Sequence, residues 1–402
     1  MISFDEALAR VLGGAAPVGA ERVALEAASG RVLAEDVAAP APMPPFDYSA
    51  MDGWAIATAD VEGVGPWTLP ARGESAAGRD LPAFTRGTTC RIFTGARLPD
   101  GCDAVVMQEI VERDGDRVTL RERPKPGAHV RRRGEDLREG AVALRRGTRL
   151  GPGHVALAAA LDRATLAVSR RPVVAIVATG DELRSPGEPA RPGSVVESNA
   201  FFVAAAARAA GADARVTPFA RDDPAAARAA LAEAIRGVDL LVTIGGVSVG
   251  DHDVVRPALE AAGVTIEFFR VALRPGKPLV VGRAGATQVL GLPGNPASAS
   301  LTFLLFGVPL LRALAGDAAP LPATRRVAVA LDKPLVRGEG DQRRQFLRAR
   351  LEDGGARARV LPNQASGAVT SFAEADALVV FHEGTARLDD GDAAFAIRLD
   401  DV

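Results

Sequence analysis

With 402 residues, 48% of them hydrophobic and 24% charged, the chain has material for about two to four domains at roughly 100–200 residues each, and global disorder is excluded. A formal net charge of -2 provides no broad basic field for nucleic acid, so an anionic ligand would need local basic groups. The two cysteines, Cys90 and Cys102, lack the spacing of a zinc site or a disulfide framework, and Asp5 and Glu6 stand where a secretory leader would be basic, which points to the cytoplasm.

Ser3-Phe4-Asp5-Glu6 spells a capping box, in which the serine accepts from the third residue's N–H and the glutamate reaches back, and it predicts a helix through Val11. Four prolines within residues 40–45 remove donors and favour extended angles, so a boundary falls there. Short β-like runs at 54–57, 90–93, 104–108 and 117–120, punctuated by Gly, Pro and Asp, predict a mostly β domain over 46–134. The alanine-rich stretch 154–162 reads as a helix packing beside the first one, which makes the β domain an insertion in a helical linker layer formed by 1–45 and 135–169.

From 170 to 318 strands alternate with helices: strands at 173–178, 215–219, 240–244, 265–269, 279–281 and 289–292, helices at 199–210, 224–236, 254–262 and from 297 onward. Asp222 or Asp223 is the expected cap of the second helix, with Pro224 at its first position. This alternation implies an α/β doubly wound, mainly parallel sheet. The longest uncharged window, 284–311, is broken by Pro293-Gly294-Asn295-Pro296, leaving too short a run to span a bilayer comfortably. Short strands over 319–402 read as a small β-barrel or sandwich.

In an open parallel sheet, ligands sit beyond the C-terminal strand ends. Three loops occupy such positions: 178–182, 245–253 and 291–298. Gly245, Gly246 and Gly250 would let the backbone approach an oxyanion, with Ser248 as an added donor; the same glycines also suit a plain strand-to-helix turn. The loop is neither a Walker loop nor the dinucleotide GxGxxG pattern. Glu182, Asp222, Asp251 and Asp253 stand near strand ends, where each suits helix capping; converging on a phosphate, they would require a divalent cation, for which magnesium is the natural choice. Lysine occurs only at positions 125, 277 and 333, so Lys277 in Pro-Gly-Lys-Pro is more informative than Arg270 or Arg274 as an oxyanion ligand. The four histidines show no ligand spacing, and no GxSxG elbow occurs.

SAMDGWA (49–55), RIFTGARLPDGCDAVVMQE (91–109), ATGDEL (178–183), ESNA (197–200), GGVSVGDHD (245–253), RPGKP (274–278) and GLPGNPASA (291–299) together resemble the molybdopterin molybdenumtransferase family, the MoeA-like and gephyrin E-domain group. The resemblance implies an elongated homodimer of four domains: a linker and dimerisation domain of 1–45 with 135–169, the inserted domain 46–134, a molybdopterin-binding domain 170–318 and a C-terminal domain 319–402. It implies insertion of molybdate into adenylylated molybdopterin with release of AMP, dependence on Mg2+, and contact with the adenylyltransferase that supplies the substrate. It assigns Asp52 and Thr94 to an active site shared across the dimer, and Glu182, Asp222 and Asp253 to the metal and water. Gly245, Gly246, Ser248, Gly250, Pro293 and Asn295 would cradle the substrate, with Lys277 and Ser298 near an oxyanion and Arg348 and Ser366 reaching in from the last domain. Arg270 and Arg274 stand where relatives commonly carry lysine. The alternatives are the preceding adenylyltransferase, whose loop is usually of GGTG type, and a gephyrin-like scaffold without catalysis.

Overall fold

Val173–Ala178 and Leu240–Ile244 are apolar runs buried on both faces, as interior strands of a covered parallel sheet must be. In the computed structural model, which describes residues 1–221, 223–246, 254–321 and 326–399, they lie side by side in a six-stranded sheet. Its order is Asp213–Val216, Val173–Ala178, Leu240–Ile244, Thr287–Leu292, Pro278–Ala284, Thr265–Arg270. The first four strands run parallel; Pro278–Ala284 is antiparallel to both its neighbours. Alternate residues feed two cores. Val174, Ile176, Val242 and Ile244 pack with helices Asn199–Ala209 and Pro296–Thr302, while Ala175, Val177 and Leu241 pack with helices Pro224–Ala234 and Val255–Ala261. Asp223, not Asp222, caps Pro224–Ala234, accepting from the Ala226 N–H at 2.8 Å.

The first helix, Phe4–Gly13, buries Phe4, Ala7 and Val11 in the first of these cores. Ser3 Oγ accepts from the Glu6 N–H at 3.1 Å, a cap worth about 1 kcal/mol, but the Glu6 carboxylate turns outward to Arg10, so only half of the capping box forms. The helical run from Pro296 to Leu314 is long and apolar enough to cross a membrane, yet 94% of it is buried inside this fold, as befits a core helix. Pro309 lacks an N–H and its ring would strike the carbonyl one turn back; the run widens to a π turn at Phe303–Gly307 and continues.

Strands Arg326–Leu331, Arg344–Glu352, Arg357–Val360, Ala377–Phe381 and Ala393–Arg398 close into a five-stranded barrel, because Arg344–Glu352 pairs with both Arg357–Val360 and Ala377–Phe381. Leu273–Arg274 adds to it in parallel, with Arg274 opposite Gln345. Arg344 fastens the same strand to the first helix: its guanidinium donates to Asp5 at 2.7 and 2.8 Å and to Glu383 at 2.6 and 2.8 Å.

All of this belongs to one compact unit, Met1–Glu35 with Arg146–Pro152 and Thr165–Val402; Asp36–Arg145 with Gly153–Ala164 forms the other. The second unit is a mixed six-stranded sheet around Trp54, Ile56, Val106 and Leu120, and it also holds helix Pro152–Ala160. That helix falls in the second unit from Gly153 onward, and the first helix in the other. The expected strands of this unit occur within a residue or so of their predicted bounds. Trp67–Ser75 and Val111–Asp114 lie outside every run that the sequence marks as β-like.

Candidate active site

The strand ends at Ala178, Ile244 and Leu292 are neighbours in register, so the three loops that follow them meet. Between them lies a cleft of 490 Å³ lined by Thr179, Gly180, Glu182, Leu183, Glu197, Asn199, Ile244, Gly245, Gly246, Pro278, Pro293, Gly294 and Asn295, among others. The glycine turn is tightly built. A Cβ at Gly245 would meet the Thr179 carbonyl oxygen at 2.8 Å and one at Gly246 the Val255 side chain at 2.4 Å, and both residues have positive φ. The Gly245 N–H donates to the Leu292 carbonyl at 3.1 Å, so this glycine shapes the turn and does not offer its donor to a ligand. Ser248, Gly250, Asp222 and Asp253 lie outside the described residues.

The polar lining of this cleft includes the exposed carboxylate of Glu182 and the buried carboxylate of Glu197, and none of its described lining residues is basic. Glu197 is 3% exposed and accepts from the Ala200 N–H at 2.9 Å; burial pushes its carboxyl above the usual range. Asn199 Nδ2 donates to the Gly294 carbonyl at 2.8 Å and so ties the Pro293-Gly294-Asn295 loop to the neighbouring helix. ESNA was legible as a motif, but neither Glu197 nor Asn199 was expected in the site.

A second cleft, of 540 Å³, lies beyond the Gly276-Lys277-Pro278 turn and is lined by Met1, Ala272, Arg274, Lys277 and the loop 338–343. Here three basic side chains face two acids. Asp341 accepts from Arg343 at 2.8 and 3.0 Å and from Arg274 at 2.8 Å, and these guanidiniums hold its carboxyl far below the usual range. Arg274 is thus already paired, whereas the exposed Lys277 forms no ion pair among the described residues.

Ser298 is buried behind the turn, with its carbonyl beside Gly276. Arg270 lines neither cleft; its guanidinium lies over the Phe269 ring at 5.1 Å. Arg348 departs most from expectation. It is fully buried, donates to Ser371 Oγ and to the carbonyls of Asn363 and Ala365, and has its pKa lowered to about 10 by desolvation. It lines neither cleft and instead props the loop 363–366, from which the Ser366 carbonyl accepts from the Ala297 N–H at 2.8 Å. Ser366 thus meets the start of the Pro296–Thr302 helix through its backbone.

In the other unit, Asp52 Oδ1 accepts from both the N–H and the hydroxyl of Thr94 at 2.7 Å, which lowers the Asp52 pKa. The two residues expected to act together are joined to each other.

A mainly parallel sheet whose central strand ends converge on a glycine turn, followed by a closed barrel, defines a multidomain α/β protein with its ligand cleft at the strand ends. Residues 175–313 match the probable molybdopterin binding domain, 2–161 the MoeA N-terminal region (domain I and II), and 339–398 the MoeA C-terminal region (domain IV). A molybdopterin biosynthesis MoeA protein from Pyrococcus horikoshii OT3 superposes with a TM-score of 0.87 at 28% identity, covering 99% of this chain and 100% of that one. Molybdopterin molybdenumtransferase 2 of Mycobacterium tuberculosis is 40% identical over 82% of this chain and 83% of its own length, and the molybdopterin molybdenumtransferase of Bacillus subtilis is 35% identical over 97% and 92%. The chain belongs to the molybdopterin molybdenumtransferase family.

Proposed function

We propose that the protein inserts molybdenum from molybdate into adenylylated molybdopterin and releases AMP. The observation that carries this reading is the pair of clefts on either side of one turn: one with carboxylates and no described base, and a basic one around Lys277. A pterin with its phosphoanhydride fits the first, between the apolar walls of Leu183, Ile244 and Pro293. Molybdate, a small dianion, suits the compact ammonium of Lys277 in the second. The Pro275-Gly276-Lys277-Pro278 turn would bring the two reactants together, so that much of the catalysis is positioning.

Phosphate beside Glu182 requires a counter-cation, and Glu182 is a hard oxygen donor of the kind Mg2+ takes together with phosphate oxygens. No cluster of three His, Cys, Asp or Glu side chains that could hold a metal occurs among the described residues, so Glu182 would share the ion with the substrate and with Asp222 and Asp253. Bound there, Mg2+ would neutralise charge developing on the phosphates. Asn199 holds the Gly294 loop in place, and Asn295 at its tip borders the substrate.

The reading extends to a cytoplasmic homodimer in which Asp52, oriented by Thr94, serves the partner's active site, and to the four-domain division at residues 45, 134, 169 and 318. Two free thiols, with burial raising the Cys90 pKa to about 11, fit a reducing compartment. The adenylyltransferase that makes the substrate would dock to pass it on. The direct test supplies adenylylated molybdopterin, Mg2+ and molybdate to the purified protein and measures AMP. Release that molybdate does not stimulate, or that Asp253→Ala leaves undiminished, contradicts the assignment.

A further inference from the structure

Glu197 has no part in the reaction as described so far, yet it occupies a wall of the first cleft. Its side chain is almost wholly out of water, and among the described residues it forms no ion pair. Its partners are the backbone N–H groups of Ala200, at 2.9 and 3.3 Å from its two oxygens, and of Asn199. A carboxylate offers about four acceptor positions, and these backbone donors reach it from the helix side. Leaving the remainder unpaired in a low-dielectric wall is costly. An anionic group cannot relieve that cost, and a ligand edge carrying adjacent N–H donors can.

The lining around Glu197 narrows the class of ligand. Leu183, Ile244, Pro278 and Pro293 give the cleft apolar surface suited to a flat ring, and the glycine turn lines it too. We propose that Glu197 accepts hydrogen bonds from the 2-amino and N3–H edge of the pterin, so that this carboxylate fixes the orientation of the ring. The proposal rests on the reading of this cleft as the molybdopterin site. Asn199 acts beside it as a positioning residue, since it fixes the Gly294 carbonyl and with it the Pro293-Gly294-Asn295 loop that lines the same cleft.

A helix cap alone would also place a carboxylate at this position, and the two roles separate in Glu197→Gln. The amide oxygen still accepts from the Ala200 N–H, so the cap survives; the amide nitrogen now faces the donors of the ring. The full-length protein is titrated by fluorescence with pterin-6-carboxylate and with lumazine-6-carboxylate, which carries a carbonyl in place of the 2-amino group. Wild type should prefer the pterin by about tenfold or more, as expected for hydrogen bonds to a charged group. Glu197→Gln should erase that preference with no fall in melting temperature. Glu197→Asp, which withdraws the charge by one methylene, should keep part of it and serves if the glutamine variant does not fold. Equal binding of the two ligands by wild type, or a preference that persists in Glu197→Gln, overturns the proposal. If wild type binds neither ligand but releases AMP from adenylylated molybdopterin, only this inference fails; if it does neither, the reading of the cleft fails with it.

Discussion

The two clefts share the Gly276-Lys277-Pro278 turn and differ in nearly everything else. The first is walled by strand ends of the parallel sheet, and its described charges are carboxylates. The second is roofed by the loop 338–343 that leads into the barrel, and its charges are mostly basic, though partly cancelled by Asp341. The carboxylates respond in opposite directions: burial raises Glu197, while Arg343 and Arg274 depress Asp341. On the proposed reading, each anionic reactant would meet its own means of neutralisation on one side of the shared turn, a carboxylate able to share Mg2+ with phosphate in the first cleft and the exposed Lys277 ammonium in the second.

The comparison can be broken cleft by cleft. The largest effect is expected from Glu182→Gln, which should lower the rate of AMP release by about 100-fold, a range typical for loss of a group that stabilises charge in the transition state, while leaving the molybdate midpoint where it was. Next, Lys277→Ala should raise that midpoint by about tenfold and leave nucleotide binding, followed by calorimetry, nearly intact. Arg344→Leu cuts the tie between the barrel, Asp5 and Glu383. Because both acids are substantially exposed, the expected loss is only about 1–2 kcal/mol, read as a lower melting temperature, with a weaker grip on molybdate and an unaltered first cleft.

The smallest and most diagnostic effects are in the pH dependence of stability. Asp341 holds its proton less tightly folded than unfolded, so its contribution is present at neutral pH and is lost as pH falls from its ordinary value of 3.8 toward the depressed folded one; Asp341→Asn should flatten this acid limb. Glu197 holds its proton more tightly folded. Stability should therefore decline as pH rises from its ordinary 4.5 through the folded value, and Glu197→Gln should remove that decline. Chemical denaturation at a series of pH values from about 3 to about 7 checks both signs.

Much of the doubly wound part was legible because its strands are short, mostly apolar and bounded by turn-favouring residues, Pro172 before Val173–Ala178 and Asp239 and Gly245 around Leu240–Ile244, and the bounds of both strands agree with expectation. Trp67–Ser75 was not legible: Pro70 and Gly73 interrupt its alternation, and a register shift between Ala71 and Glu74 absorbs them in the sheet. The convergence of loops 178–182, 245–246 and 293–295 followed from the topology rule. The fate of single side chains did not. Nothing local distinguishes Arg348, buried and propping a loop, from an arginine that meets a ligand, and no neighbouring residue signals that the Gly245 N–H is spent on the Leu292 carbonyl. Glu197 reads locally as a helix cap, which it is, and its depth in the cleft emerges only once the loops around it are folded.

One measurement bears most directly on the division of labour: AMP release from adenylylated molybdopterin as a function of molybdate, for wild type and Lys277→Ala side by side. The account predicts a curve displaced about tenfold toward higher molybdate with the same plateau. A lowered plateau at an unchanged midpoint would contradict it, because Lys277 would then serve phosphoanhydride cleavage and the two clefts would not divide the reactants.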